Sequence, residues 1–171
     1  DPYETRSAAT AGGILEWGSH TVDLCQWANG ADHTAPVEYE PQGSNVIARY
    51  ANGVKLVMRE SGWMGLGTCS VRFEGTEGWV EAGDSGRLAL QPESLRPAKP
   101  LVQEAGTSPR FHVRDFLDCV KSRKQPRGCA LNAAQSHVAC HAAYIAWQLG
   151  RKLAFDPAKD EFPGQEDANR M

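Results

Sequence analysis

The chain has 171 residues, 41% of them apolar, which is enough for one domain of ordinary size with a core that needs no disulfide or metal. A formal net charge of −3 gives no reason to expect nucleic acid or an anionic membrane as partner. No apolar run approaches the roughly 18 residues of a membrane span. Five widely spaced cysteines without a CxxC pair indicate free thiols and a cytoplasmic protein. A periplasmic location remains the alternative, because the residues before Asp1 are not seen.

A first helix is predicted from Gly12-Gly13 to Asn29-Gly30, after a loop over residues 1–12. Asn-Gly is a good C-terminal stop because glycine adopts the left-handed conformation that ends many helices. Small and apolar residues recur at helical spacing and would form the buried stripe of this helix: Ile14, Gly18, Val22 and Cys25.

The middle of the chain is typical of an antiparallel meander. Asn52-Gly53 lies between the strand-like segments 46–50 and 54–58, and this pair predicts a hairpin with a type I′ turn. Further strands are predicted at 70–74, 79–82 and 87–90, which are connected by turn residues, and at 36–39.

Two helices are predicted in the last third of the chain. The first begins with Ser108 as the cap and Pro109 at the first helical position, and Pro126 prevents its continuation. Its apolar residues follow i, i+3, i+4, i+7 spacing: Val113, Phe116, Leu117 and Val120. The second runs over residues 131–149 and ends at Gly150.

Strands bunched between helices predict an α+β fold with an open, mainly antiparallel sheet and helices packed on one face. We expect a single domain over residues 1–155, followed by a polar C-terminal tail over residues 156–171.

The first helix carries the residue types that acid–base chemistry needs. Glu16, His20, Asp23 and Trp27 fall at i, i+4, i+7 and i+11, which places them on one helix face. A carboxylate one turn from an imidazole can orient it and raise its basicity, as a general base requires. A double glycine ending at Gly13 would let a ligand approach the backbone closely. A solvated polar helix face gives the same pattern, so spacing alone leaves both interpretations open.

Other candidate sites have weaker patterns. Residues 65–70 imitate a phosphate-binding glycine turn but lack the third glycine and lead into a predicted strand, so we reject them as a cofactor site. His137 and His141 are spaced as zinc ligands can be, yet no third ligand is evident, so no metal is expected.

Residues 12–27 resemble the signature helix that opens the C-terminal domain of the Gfo/Idh/MocA oxidoreductases, which include glucose–fructose oxidoreductase and inositol dehydrogenase. The resemblance rests on a glycine run followed by an acidic residue, Gly18, His20 and Asp23 at matching offsets. Residues 111–121, 140–153 and 156–170 resemble bacterial members of the same family, in the same order.

The resemblance implies roles for residues of the first helix. His20 matches the family's catalytic base, which takes the substrate's hydroxyl proton, and Glu16 matches an acidic residue that is usually aspartate. Asp23 matches a recurring acidic position that would bind substrate or support the structure. Tyr3 and Arg6 lie just before this helix, from where they could reach a polyol, and Gly13 belongs to the glycine run.

The resemblance also implies a fold like the C-terminal domain of dihydrodipicolinate reductase and a substrate-binding and oligomerisation domain of a dehydrogenase. The substrate would be a sugar, a polyol or a derivative, and homo-oligomers would form through the open sheet face. NAD or NADP would be held by a Rossmann domain that has no counterpart in these 171 residues, so this chain alone should be inactive. Two alternatives remain: a stand-alone binding or assembly module, and a cofactor-free lyase or isomerase that uses Glu16 and His20.

Overall fold

The computed structural model describes residues 13–59, 64–67, 69–98 and 109–171. They belong to two compact units, Asp1–Glu60 with Leu131–Met171, and Ser61–Ala130. Helices and antiparallel strands occur together, which confirms the predicted α+β fold class. No helix among the described residues is both long and apolar enough to cross a membrane.

The first unit contains a four-stranded antiparallel sheet and most of the helical residues. The strand order is β3-β2-β1-β7, so the last strand of the chain pairs beside the first. The strands are β1 (Glu38–Gln42), β2 (Asn45–Arg49), β3 (Lys55–Met58) and β7 (Leu153–Ala154). The helices are α1 (Gly18–Ala28), which follows a π-helical turn at Gly13–Trp17, then α3 (Ala130–Leu149) and α4 (Glu166–Asn169).

One face of this sheet forms the core. Alternate residues of the three longer strands are buried, as period-two alternation requires: Tyr39, Val46, Ala48, Leu56 and Met58. They belong to one core cluster with small residues of α3, which let a helix lie close to a sheet: Ala139, Cys140, Ala143 and Ala146. The predicted packing of helices on one sheet face is therefore seen in this unit.

The hairpin between β2 and β3 has a different turn from the one predicted. Gly53 has a positive φ of 87°, but Asn52 does not, so the type I′ prediction was wrong. The loop has three residues, because the Tyr50 N–H donates to the Val54 carbonyl at 2.9 Å and the Gly53 N–H donates to the Tyr50 carbonyl at 2.9 Å. Asn52 Oδ1 accepts the Val54 N–H at 3.1 Å. A three-residue hairpin loop with a left-handed glycine is the next most common type.

The second unit contains a separate antiparallel meander, where a single sheet had been expected. Its strand order is β4-β5-β6, formed by Val71–Gly75, Gly78–Ala82 and Leu88–Gln91. A 3-10 turn follows at Glu93–Leu95, and the helix α2 spans Arg110–Ser122.

A buried ion pair joins β4 to β5. Glu81 has no exposed surface, and its carboxylate accepts hydrogen bonds from Arg72 at 2.9 Å and from the Met64 N–H at 2.9 Å. The Arg72 guanidinium also lies over the Trp79 ring, 4.1 Å from its centroid. A buried carboxylate needs such partners, because removing an unpaired charge from water costs several kcal/mol. This cost is on the order of the Coulomb energy that an ion pair gains.

Helix α2 confirms a predicted element but exposes its apolar stripe. Each of the four residues at i, i+3, i+4, i+7 spacing is between 46% and 55% exposed: Val113, Phe116, Leu117 and Val120. The helix ends at Ser122, followed by Arg123 with a left-handed φ of 58°. The predicted cap Ser108 lies outside the described residues.

The last sixteen residues pack more closely than their polar sequence indicates. Phe162 and Ala168 are buried and belong to the core cluster of the first unit. The Asn169 amide accepts the Phe162 N–H at 2.7 Å and donates to the Phe162 carbonyl at 2.9 Å. Arg151 binds the Asp167 carboxylate at 2.7 Å. The expected boundary at residue 155 stays a prediction.

Candidate functional site

The candidate site lies on α1 and on the π-helical turn before it. Val22 of the expected stripe is buried, and Ile14, Gly18 and Cys25 are partly buried, so this side of the helix faces the core. The candidate residues on the other side, Glu16, His20 and Asp23, are all exposed, and so is Trp27 on the same side. The helix therefore has the predicted apolar side and, opposite it, an exposed side that carries the candidate residues.

A buried glutamine fixes the C-terminal half of α1. Gln26 Nε2 donates to the carbonyl of Ala31 at 3.1 Å and to that of Thr34 at 2.6 Å. The Tyr50 hydroxyl, next to β2, donates to Gln26 Oε1. These hydrogen bonds of the Gln26 amide are all directed into the core. Together they set the rotation of α1 about its axis. The sequence offered one signal for this role, a polar residue one turn after Val22 on the inward side.

A second anchor joins the exposed side of α1 to α3. The buried Ser136 hydroxyl lies 2.9 Å from Asp23 Oδ1 and also 3.2 Å from the Asn132 carbonyl, one turn earlier in α3. This contact holds the Asp23 carboxylate in place while the side chain as a whole stays exposed. Ser136 was not identified from the sequence, because nothing local indicates a contact across 113 positions.

Glu16 and His20 do not form the expected pair. Among the described residues their side chains share neither a hydrogen bond nor an ion pair, and His20 instead contacts Trp17, with ring centroids 5.7 Å apart. Glu16 belongs to the π-helical turn Gly13–Trp17, and His20 belongs to α1, which begins at Gly18. The catalytic roles of Glu16 and His20 stay predictions.

The remaining predicted site residues lie at or before the start of the described chain. Tyr3 and Arg6 lie outside the described residues. Gly13 is exposed, and a Cβ added there would meet no atom within 4 Å, so no close packing requires glycine. Gly18 is tighter, because its Cβ would approach the Gly13 carbonyl oxygen at 3.1 Å.

The cysteines give no sign of a nucleophilic site in the first unit. Burial raises the pKa of the Cys25 thiol to about 11 and that of Cys140 to about 12. Both thiols are therefore protonated near neutral pH, whereas a nucleophilic cysteine needs its thiolate.

The glycine segment at residues 65–70 does not fit a dinucleotide phosphate. Its chain leads into the strand β4 at Val71 and not into a helix, so the segment lacks the helix N-terminus that follows a phosphate-binding turn. The space beside Gly67 is filled by this chain's own Asp84, whose carboxylate would lie 1.6 Å from a Cβ placed on that glycine. Asp84 therefore occupies the space that a phosphate would need beside Gly67.

The two histidines of α3 form a pair without further ligands. His137 and His141 are exposed, with ring centroids 6.5 Å apart. Within the described ranges, no group of three or more His, Cys, Asp or Glu side chains could hold a metal ion.

An α+β domain that presents an imidazole and two carboxylates along one helix can take part in acid–base chemistry on a bound ligand. Residues 7–171 match a family model described as the C-terminal alpha/beta domain of an oxidoreductase family, the Gfo/Idh/MocA oxidoreductases. The chain belongs to this family. No curated protein and no solved structure matches it.

Proposed function

We propose that this chain is the substrate-binding and oligomerisation domain of an NAD(P)-dependent oxidoreductase that acts on a sugar, a polyol or a derivative. Membership of an oxidoreductase family supports the reaction class. NAD or NADP would be held by a Rossmann domain in a longer polypeptide, because the glycine segment at residues 65–70 does not fit a dinucleotide. The cofactor, when bound, supplies the hydride acceptor.

His20 is the proton acceptor in this proposal. As the substrate alcohol is oxidised, its O–H proton passes to the His20 imidazole and its C–H hydride leaves, so the C–O bond becomes a carbonyl. Glu16 and Asp23 accept hydrogen bonds from neighbouring hydroxyls and orient the sugar or polyol. Positioned general bases of this kind contribute about 10²- to 10⁴-fold to rate.

The observation that carries this proposal is the exposure of His20, Glu16 and Asp23 on a helix whose orientation is fixed by hydrogen bonds to the rest of the first unit. Gln26 holds its inward side and Ser136 holds Asp23. A rigid helix is a better base for a reacting group than a loop, because a displacement of about 1 Å can cost 10²-fold in rate.

The test is turnover by the polypeptide encoded by the complete reading frame that contains this chain. It is assayed with NAD⁺ and NADP⁺ against a panel of sugars and polyols. We expect His20→Gln to lower kcat/KM by about 10²-fold or more, and Glu16→Gln to lower it less. His137→Gln, an exposed histidine on α3, is the control and should be silent. Wild-type turnover in His20→Gln contradicts the proposal.

A further inference from the structure

The exposed apolar stripe of α2 has no part in the proposed function. Its four residues are half-exposed, and no residue of α2 is buried in the part of the chain that the structure describes. At 3.6 residues per turn they cover an arc of roughly 100° on one side of the helix: Val113, Phe116, Leu117 and Val120. An apolar stripe of this width ordinarily faces a core, so this one needs another surface to cover it.

Contacts on a different side of α2 hold the helix with its stripe outward. Asp115 Oδ2 accepts the Arg127 N–H at 2.9 Å. A Cβ added to Gly128 would approach the His112 ring at 3.0 Å, so the chain after the helix lies close to that ring. Around the helix axis, Asp115 lies about 150° and His112 about 90° from the centre of the stripe. Residues 127–128 therefore use a side of α2 that leaves the stripe uncovered.

Basic side chains border one edge of the stripe. Three of them lie about 70–110° from its centre around the helix axis: Arg110, Arg114 and Lys121. The acidic residues of the helix, Asp115 and Asp118, lie about 150° from the centre. Residues 110–127 contain six basic and two acidic side chains, although the whole chain has a formal net charge of −3. The apolar stripe is therefore part of a locally cationic surface.

One of these cations has an acidic partner on the same helix. The Arg114 guanidinium lies 4.0 Å from the Asp118 carboxylate, and both side chains are exposed. An exposed ion pair at this distance contributes little free energy, so Arg114 can exchange Asp118 for a stronger anion.

An anionic lipid surface matches both parts of this helix. Apolar side chains of an interfacial helix insert at the boundary between headgroups and acyl chains, while bordering Lys and Arg side chains bind the lipid phosphates. A basic amphipathic helix is typical of segments that lie on membranes.

A protein partner matches α2 less well. A stable protein interface buries about 20–30 residues on each side, far more than this stripe offers. A second copy of the chain is disfavoured by charge, because an antiparallel pair of α2 helices would set their two basic edges against each other.

We propose that α2 docks on an anionic membrane surface, with its apolar stripe at the level of the headgroups and its bordering cations on lipid phosphates. The helix lies in the plane of the surface, because its 13 residues reach about 20 Å against a hydrocarbon core of about 30 Å. The net charge of the whole chain gives no sign of this contact, since it averages over the local excess of cations. The proposal does not depend on the acid–base role of α1.

The experiment measures cosedimentation of the 171-residue chain with vesicles of phosphatidylcholine and phosphatidylglycerol in equal parts, and with vesicles of phosphatidylcholine alone. We expect binding to the mixed vesicles that falls as salt is raised, and binding to phosphatidylcholine that is weaker by about tenfold or more. Phe116→Gln and Leu117→Gln should each weaken binding about tenfold, because each removes an inserted apolar side chain. Lys121→Gln should weaken it about fivefold, the effect of one cation near an anionic surface.

Phe111 provides a matched control on the same helix. It is 49% exposed, close to the 55% of Phe116, but it lies about 170° from the centre of the stripe around the helix axis. Phe111→Gln should therefore leave vesicle binding within about twofold of the wild type. Lys55→Gln, which removes an exposed lysine of β3, is the control for charge alone and should be equally silent.

The proposal is overturned if the chain does not bind the mixed vesicles, if it binds phosphatidylcholine equally well, or if Phe116→Gln and Leu117→Gln bind like the wild type. Equal losses in Phe111→Gln and Phe116→Gln would also overturn it, because binding would then not depend on the stripe. The polypeptide encoded by the complete reading frame must bind as well, since its failure would mean that another part of that polypeptide covers α2. The turnover of His20→Gln tests the proposed function separately, and neither result decides the other.

Discussion

At the scale of single residues, the hydroxyl of Ser136 is the link between the candidate site and the core. It is buried, it bonds to the exposed Asp23 carboxylate at 2.9 Å, and it comes from a different helix. Asp23 was expected from the family resemblance to bind substrate or to support the structure, and this contact gives it a structural partner.

We predict that Ser136→Ala lowers the free energy of unfolding by about 1 kcal/mol. A hydrogen bond to a charged group is worth about 1.5–3 kcal/mol, but exposed Asp23 can recover part of that from water. Chemical denaturation of the single variants and of the double variant with Asp23→Ala measures the coupling between the two residues. Ser19→Ala is the control, because its hydroxyl donates to the Glu16 carbonyl three residues earlier, within the same helical segment. A coupling energy near zero would mean that the contact does not hold Asp23.

At the scale of elements, the β2–β3 hairpin depends on one left-handed glycine. Gly53 has a φ of 87°, and a Cβ added there would meet no atom within 4 Å. We therefore expect Gly53→Ala to destabilise the chain through the backbone alone, by about 1–2 kcal/mol. Gly13→Ala has equally open space without a positive φ, so it should be neutral or slightly stabilising. The midpoints of thermal unfolding of the two variants make the comparison, and equal midpoints would contradict it.

The helices, strands and turns also show which local features could be predicted from the sequence and which could not. Hydrophobic periodicity predicted α1 and the strands of the first sheet because local pattern and burial agree in them, whereas α2 was predicted from a stripe that is exposed. The predicted turn type of the hairpin was wrong because the Asn52 side chain accepts the Val54 N–H. This hydrogen bond offers the backbone an alternative to the type I′ turn that Asn52-Gly53 favours. The π-helical turn at Gly13–Trp17 was missed because it leaves the apolar spacing intact.

At the scale of the whole molecule, pairing of distant segments was beyond prediction. β7 lies beside β1, although more than a hundred residues separate them, and the predicted meander divides into two sheets. Residue types in the candidate site were predictable from the helix pattern and the family resemblance. The Ser136 and Gln26 anchors were not, because each depends on which segments meet in space.

The open face of the first sheet carries the last prediction, which concerns assembly. Register places Glu40, Ile47 and Val57 in one row on the side opposite the buried residues. Val57 is 41% exposed, and the neighbouring row holds an ion pair between Arg49 and Glu38 at 3.3 Å. Ile47 and Val57 form a small apolar patch bordered by charged residues, and such a patch is suited to a two-fold contact in which it meets its own copy.

We accordingly expect the chain to dimerise and Val57→Lys to weaken the dimer by about tenfold or more, because a charge buried where the two patches meet would lose its water. Val54→Lys is the matched control, since Val54 is similarly exposed, at 45%, but lies between the hairpin loop and the first residue of β3. Sedimentation equilibrium over a range of concentrations gives the dimer dissociation constants of both variants. A wild-type monomer at high concentration, or equal dimer constants for the two variants, would remove this sheet face from the interface.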